Sequence, residues 1–355
     1  MLTVLSFIFV LGVLVFIHEF GHFVVAKRVG IRVDRFSLGF PPNIIARKWG
    51  ETTYCIGLIP LGGYVKMAGE NPDEKATGDP DEFMSKSVGQ RATVIFAGPF
   101  MNYLLSVLIL AGILFFSGQP LVDTDRALVG EVVEGLPASQ AGIKPGSQIL
   151  RVNGELVEDF ESMRIRINEH VAEPIELTWL YDGDTCTAMV TTTIAEQPNL
   201  KGGLDSVGIV GIVVKIIGYE KFGLLTSLKR GFVTTNRIAV EIVKFVKRAI
   251  TGEISAKLIG GPLFIAQQSG KEARKGAPSL FYFMALLSVN LAILNVLPIP
   301  ILDGGQLLFL AIERIKGSPL SMKARVTAQQ AGLIVILTLV VMVTYNDVMR
   351  FVRGF

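Results

Sequence analysis

The first run of the chain, MLTVLSFIFVLGVLVFI, is nearly free of polar residues and continues through His22 to about Ala26. At about 1.5 Å per residue, roughly 26 residues give about 39 Å of helix, enough to cross a hydrocarbon core of about 30 Å with some tilt. The alternative for such an N-terminal run is a secretory signal peptide, but a basic n-region and a small-x-small cleavage site are both missing. Half of the 355 residues are hydrophobic and the mean hydropathy is +0.50, too apolar for an ordinary soluble enzyme. Lys27, Arg28, Arg32 and Arg35 follow the run at once and favour a cytoplasmic exit.

Three more runs share this character. The second spans about Val94 to Phe116 and carries Gly98, Pro99 and Asn102 near its start. The third begins near Leu280 and is broken by Pro298 and Pro300 just before Asp303. Irregular backbone at membrane depth is tolerated only where protein buries it or water reaches it. The last covers about Gln330 to Thr344, after a loop bearing Arg314, Lys316, Lys323 and Arg325 that again reads as cytoplasmic. The spans therefore alternate consistently, with both termini outside.

Between the spans the composition changes. Residues 36–91 read as a cytosolic loop whose ETTYCIGLIPLGGYVKMAG stretch suits a hairpin of short β-like runs broken by Gly57, Pro60, Gly62 and Gly63, followed by the solvated acidic loop ENPDEKATGDPDE. Residues 120–200 carry turn signals at Asn153-Gly154 and Asp182-Gly183 between strand-like runs, enough for one small α+β domain on the opposite membrane face. From about 220 to 278 the pattern is helical. Ile238, Ile242, Phe245 and Ala249 form a stripe for a membrane surface or for the spans, with a solvated linker helix as the alternative. The predicted division is a membrane part over 1–118, a domain over 119–200, amphipathic helices over 201–279 and a second membrane part over 280–355. A net charge of +3 gives no case for nucleic acid. Cys55 and Cys186 are far apart and neither belongs to a CxxC pair, which argues against a disulfide framework or a cysteine metal site.

The chemistry lies in HEFGH, inside the first run. Four-residue spacing puts His18 and His22 on one helical face, a turn apart, where two imidazoles can bind one zinc ion. Glu19 is adjacent to that face and suited to act as general base on water there. Two histidines and a glutamate in lipid without a metal would be expensive. About 17 residues of span precede His18, roughly 25 Å of helix, which sets it in the cytoplasmic third of the bilayer. A third ligand is needed, with one position left open. His170, the third histidine, lies in the α+β domain and is the weaker candidate. Asp303, at the end of a span near the same boundary, is the stronger.

HEFGH in a first span and NVLPIPILDGG in a third resemble the site-2 protease family of intramembrane zinc metalloproteases, peptidase family M50, in its bacterial regulator-of-sigma-E branch. The likeness extends over nearly the whole chain, including IPLGGYVKMAGE, AGPFMN and SVNLAILNVLPIP. It implies one zinc ion held by His18, His22 and Asp303, with Glu19 as the base. It places Asn290 and Asn295 beside the substrate, although interhelical hydrogen bonds are an equal alternative. It implies that the Gly57–Met67 region, with Gly62, Gly63 and Tyr64, dips into the membrane and holds an extended substrate by β-addition; a plain cytosolic hairpin is the alternative. ASQAGIKPGSQILRVNGE is similar to PDZ domains, of which the chain has room for one, with RALVGEVV as a candidate peptide-binding strand.

The expected fold is thus a multi-pass α-helical membrane protein with four transmembrane helices, a membrane-associated β-hairpin and one extracytoplasmic PDZ-like domain. The expected activity is cleavage of single-span membrane proteins within or beside their transmembrane segments, after a first cut by another protease, in the bacterial cytoplasmic membrane. Such cleavage belongs to regulated intramembrane proteolysis, with anti-sigma factors or signal-peptide remnants as examples of substrates. Two other classes fit less well. A non-catalytic adaptor would be marked by an incomplete metal set, and a metal transporter often carries repeated halves, which this sequence lacks.

Overall fold

The computed structural model describes residues 1–70, 78–123, 125–198, 204–253 and 259–353. The chain divides into two compact units, one of residues 1–113, 223–247 and 256–355 and the other of residues 114–222 and 248–255.

The first unit opens with helix α1 (Leu2–Arg28), whose last turn carries Lys27 and Arg28 where cations complement the carbonyl end of a helix. Strands β1 (Val33–Trp49) and β2 (Thr52–Met67) follow as an antiparallel pair. They are longer than the short runs expected from the glycines, because both strands curl and pair twice. Phe36 faces Tyr54 on one side and Val65 on the other, so the Arg35–Leu38 stretch lies between two stretches of β2. Phe23 of α1 packs edge-on against Phe36 and Tyr54, joining helix and hairpin through buried aromatic area. Along the hairpin Phe40, Ile44, Ile45, Ile56, Leu58 and Ile59 are exposed, more apolar surface than water-facing hairpins carry.

Helix α2 (Val88–Phe116) starts about two turns earlier than the hydropathy of the sequence places it, with Arg91 in its opening turns. A guanidinium there would count against a span, but Arg91 is buried in a two-pronged ion pair with Glu313.

The second unit is β-rich. Its elements are β3 (Gln119–Val122), β4 (Val129–Val132), α3 (Pro137–Gln140), β5 (Gln148–Val152), β6 (Glu155–Leu156), α4 (Phe160–Glu169), β7 (Pro174–Tyr181), β8 (Asp184–Thr191), β9 (Thr193–Pro198), β10 (Leu204–Ile209), β11 (Ile212–Val214) and β12 (Ile216–Glu220). Strands β6-β5-β7-β8 form one sheet, and β9–β10, β4–β11 and β3–β12 pair as separate antiparallel ladders. The two turn signals do what their residues allow. Asn153-Gly154 closes β5–β6 and Asp182-Gly183 closes β7–β8, all four at positive φ. Alternate residues of β5 and β7 (Ile149, Ile175, Leu177, Trp179) meet Met163 and Ile167 of α4 in one core. Asp159 caps α4 by accepting the Ser162 N–H at 2.6 Å, and this hydrogen bonding holds its carboxyl below the usual carboxylate value.

The remaining helices belong mainly to the first unit: α5 (Leu224–Ile250), α6 (Pro262–Lys275), α7 (Ala277–Val296), α8 (Asp303–Lys316) and α9 (Met322–Arg353). Along α5 the buried positions are Ser227, Gly231 and Thr235 rather than the apolar stripe, of which Phe245 is exposed. A Cβ on Gly231 would lie 2.8 Å from the Val107 carbonyl oxygen, so small residues let α5 reach the backbone of α2, while Ile238, Ile242 and Ala249 of the stripe are half-buried. Val10 and Leu14 of α1 pack with Met284 of α7. Helices α1, α2, α7 and α9 are long and apolar enough to cross a bilayer, and they expose most of their apolar surface. That combination defines a multi-pass helical membrane protein.

Candidate metal centre

His18 and His22 sit on α1 one turn apart, with Nε2 atoms 3.2 Å from each other. Asp303 joins them from the start of α8. Its Oδ2 lies 3.2 Å from His18 Nε2 and 3.6 Å from His22 Nε2. The local sequence explains how it gets there. Leu297 is extended ahead of Pro298, which ends α7 at Val296. The chain then turns through residues 297–302 into α8, whose N-terminal turn favours an acidic side chain. A Cβ on Gly304 would stand 2.2 Å from the Val296 carbonyl oxygen, and one on Gly305 2.2 Å from that of Ile299. Only glycines let α8 begin so tightly against the end of α7.

These donors fit zinc. Ligand bonds of about 2.0–2.1 Å in a tetrahedron hold donor atoms roughly 3.3 Å apart, close to the three separations observed. Asp303 Oδ2 is buried and, among the described residues, takes no hydrogen bond, an orphaned acceptor aimed between two imidazoles. Three protein ligands leave one position of a tetrahedron open, the pattern of catalytic rather than structural sites.

Glu19 projects beside this group and faces the Val65 backbone amide of β2. Gly63 supplies the room: a Cβ there would lie 3.1 Å from Glu19 Cγ and 2.8 Å from the Ser37 carbonyl oxygen. Gly63 and Tyr64 pair with Leu38 and Ser37 of β1, and among the described residues no strand pairs with their other edge. Gly62 packs on the Phe40 ring, and the Tyr64 hydroxyl accepts from Arg35. Asn290 and Asn295 are half-buried on α7, with no hydrogen bond to the histidines or Asp303. His170 belongs to the β-rich unit, where Glu173 and Asn153 meet its two ring nitrogens.

The sequence reading missed what α2 contributes. Val94 offers its carbonyl to His22 Nδ1 at 2.9 Å, and Asn102 approaches His18 Nδ1 at 3.3 Å. Gly98 lies between them, where a Cβ would stand 2.3 Å from His22 Nε2. The signal was present as a glycine and an asparagine four apart in an apolar span, a spacing that shares one helical face.

A membrane-embedded His₂Asp group with a neighbouring glutamate defines the class, a membrane metallohydrolase built across α1, α2 and α8. Residues 6–339 match the model of peptidase family M50. The chain is similar to the zinc metalloprotease RasP of Geobacillus kaustophilus, at 31% identity over 98% of this chain and 98% of that one, and to RasP of Bacillus licheniformis, at 30% over 98% and 99%. Among solved structures, the PDZ domain of an SdrC-like protein from Listeria monocytogenes is similar over 26% of this chain and 92% of that one, at 18% identity and a TM-score of 0.21. The chain belongs to peptidase family M50 and is a zinc metalloprotease.

Proposed function

We propose that this protease hydrolyses peptide bonds within or next to the transmembrane segments of single-span membrane proteins. The observation that carries the reading is the position of His18 and His22 on a membrane span with Asp303 of α8 against them, and of Glu19 beside a strand edge that no strand pairs among the described residues. A helical peptide bond is shielded by its own hydrogen bonds, so a substrate must become extended before it is cut. The Gly63–Tyr64 edge, which no strand pairs among the described residues, offers main-chain partners for such a strand, and its pairing would bring the scissile bond to Glu19. Asn290 and Asn295 would hold amide groups toward the unwound backbone.

His18, His22 and Asp303 would hold one zinc ion, which supplies a Lewis acid to polarise the scissile carbonyl and lowers the pKa of water toward about 7. Glu19 takes the proton from the attacking water and delivers it to the leaving amine nitrogen, with the Val65 amide facing the carboxylate. The exposed apolar tip of the hairpin would sit in the lipid interface.

Lys27 and Arg28 in the last turn of α1, Arg32 after it, Lys316 at the end of α8 and Lys323 at the start of α9 would turn the metal side of the protein toward the cytoplasm of a bacterial inner membrane, with the β-rich unit outside. That unit would act as a PDZ-like module, admitting substrates already shortened by another protease. Purified protein in detergent with a membrane-spanning test peptide checks the reading. Cleavage should be chelator-sensitive and absent in Glu19→Gln, which should keep its zinc. Undiminished cleavage by that variant would remove Glu19 from the reaction.

A further inference from the structure

Both imidazoles lean on one face of α2, where Val94, Gly98 and Asn102 recur every four residues. The Val94 carbonyl only accepts, so at 2.9 Å it assigns the proton of His22 to Nδ1 and leaves the Nε2 lone pair facing Asp303. The corresponding partner of His18 is Asn102, fully buried, with an amide 3.3 Å from Nδ1. With the amide nitrogen toward the ring, Oδ1 is a buried acceptor without a donor. The proton of His18 would then sit on Nε2, pointing at His22 Nε2 and Asp303 Oδ2, both 3.2 Å away. Amide oxygen and nitrogen exchange by a half-turn of the side chain. The turned amide gives Oδ1 the Nδ1–H of His18 as its donor, and both histidines then present Nε2 lone pairs to one point. The hydroxyl of Ser288 donates to the Asn102 carbonyl at 2.7 Å and ties this turn of α2 to α7.

We propose that Asn102 is a positioning residue of the metal centre, whose Oδ1 accepts from His18 Nδ1–H and locks the tautomer that directs Nε2 at the metal. The inference rests on the zinc reading above. Outer partners of this kind typically carry about 10–100-fold in metal affinity.

The test measures zinc affinity of the full chain in detergent by chelator competition, for the native protein, Asn102→Leu, Asn102→Asp and His18→Ala. Asn102→Leu, similar in shape but with no acceptor, should bind zinc about 10–100-fold more weakly. Asn102→Asp keeps an acceptor and should restore affinity; native affinity in Asn102→Leu, or equal loss in both variants, overturns the proposal. Should Asn102→Leu fail to fold, the native protein decides. With ¹⁵N-histidine labelling and only three histidines, His18 in the zinc-loaded protein should show a protected Nδ1–H, and metal on Nδ1 would refute the assignment. If instead His18→Ala binds zinc as the native protein does, the zinc reading itself falls.

Discussion

Alanine at position 98 would put a methyl carbon 2.3 Å from His22 Nε2, 2.6 Å from His22 Cε1 and 2.8 Å from His18 Cε1. Non-bonded heavy atoms settle at about 3.5 Å or more, so ring and helix must separate by about 1 Å. A zinc site accepts only about 0.2 Å of error in its ligand distances. Parting the helices would give up the close contact beside it, where a Cβ at Gly21 of α1 would already lie 2.4 Å from the Ala97 carbonyl oxygen of α2. The imidazole of His22 therefore moves off the metal position. We expect Gly98→Ala to lose at least about 100-fold in zinc affinity, about 2.8 kcal/mol. The same substitution at Gly112, on the same helix with nothing within 4 Å of its Cβ position, should leave affinity unchanged. Chelator competition and metal content of the purified proteins read both. A Gly98→Ala protein that binds zinc as the native protein does would refute the argued packing of α2 against the histidines.

Other perturbations separate the parts. Asp303→Asn should reduce zinc stoichiometry while leaving the spans inserted, and full metal content would point to another ligand. Arg91→Met strands the half-buried Glu313 carboxylate and should destabilise the protein in denaturation by up to about 3 kcal/mol, whereas Arg91→Met with Glu313→Leu should recover most of the loss. In the β-rich unit, the depressed pKa of Asp159 makes its cap a source of stability above the unfolded carboxylate value of about 3.9. That contribution is lost as pH falls through the lower folded value. Asp159→Asn should flatten this acid limb, followed by the fluorescence of the buried Trp179 in a Trp49→Phe background, and an unaltered limb would exclude the cap.

The grouping of candidate donors was legible because few residue types bind zinc and the periodicity of a helix converts spacing into direction: His18, Glu19 and His22 needed only α1. Asp303 was legible as a carboxylate at a broken span, but its approach depends on Gly304 and Gly305 meeting carbonyls of α7 and the turn after it. Hydropathy found the spans and missed the first turns of α2, because a window cannot know that Arg91 is paired with a residue 222 positions away. The hairpin was underestimated for a related reason. Glycines that break a strand locally permit two strands to curl and pair twice. Nothing local marks the Val94 carbonyl as a partner of His22, since every residue carries a carbonyl and only tertiary packing selects one.

That long-range pair also orders the making of the enzyme. Arg91 leaves the ribosome 222 residues before Glu313, which at about 5–20 residues per second is roughly 10–45 s. For nearly all of that interval, until Asp303 is made, α1 holds two histidines and Glu19 without the carboxylate that joins them. The protease is thus made with an incomplete group of donors first, and α8 supplies the missing carboxylate only late in synthesis.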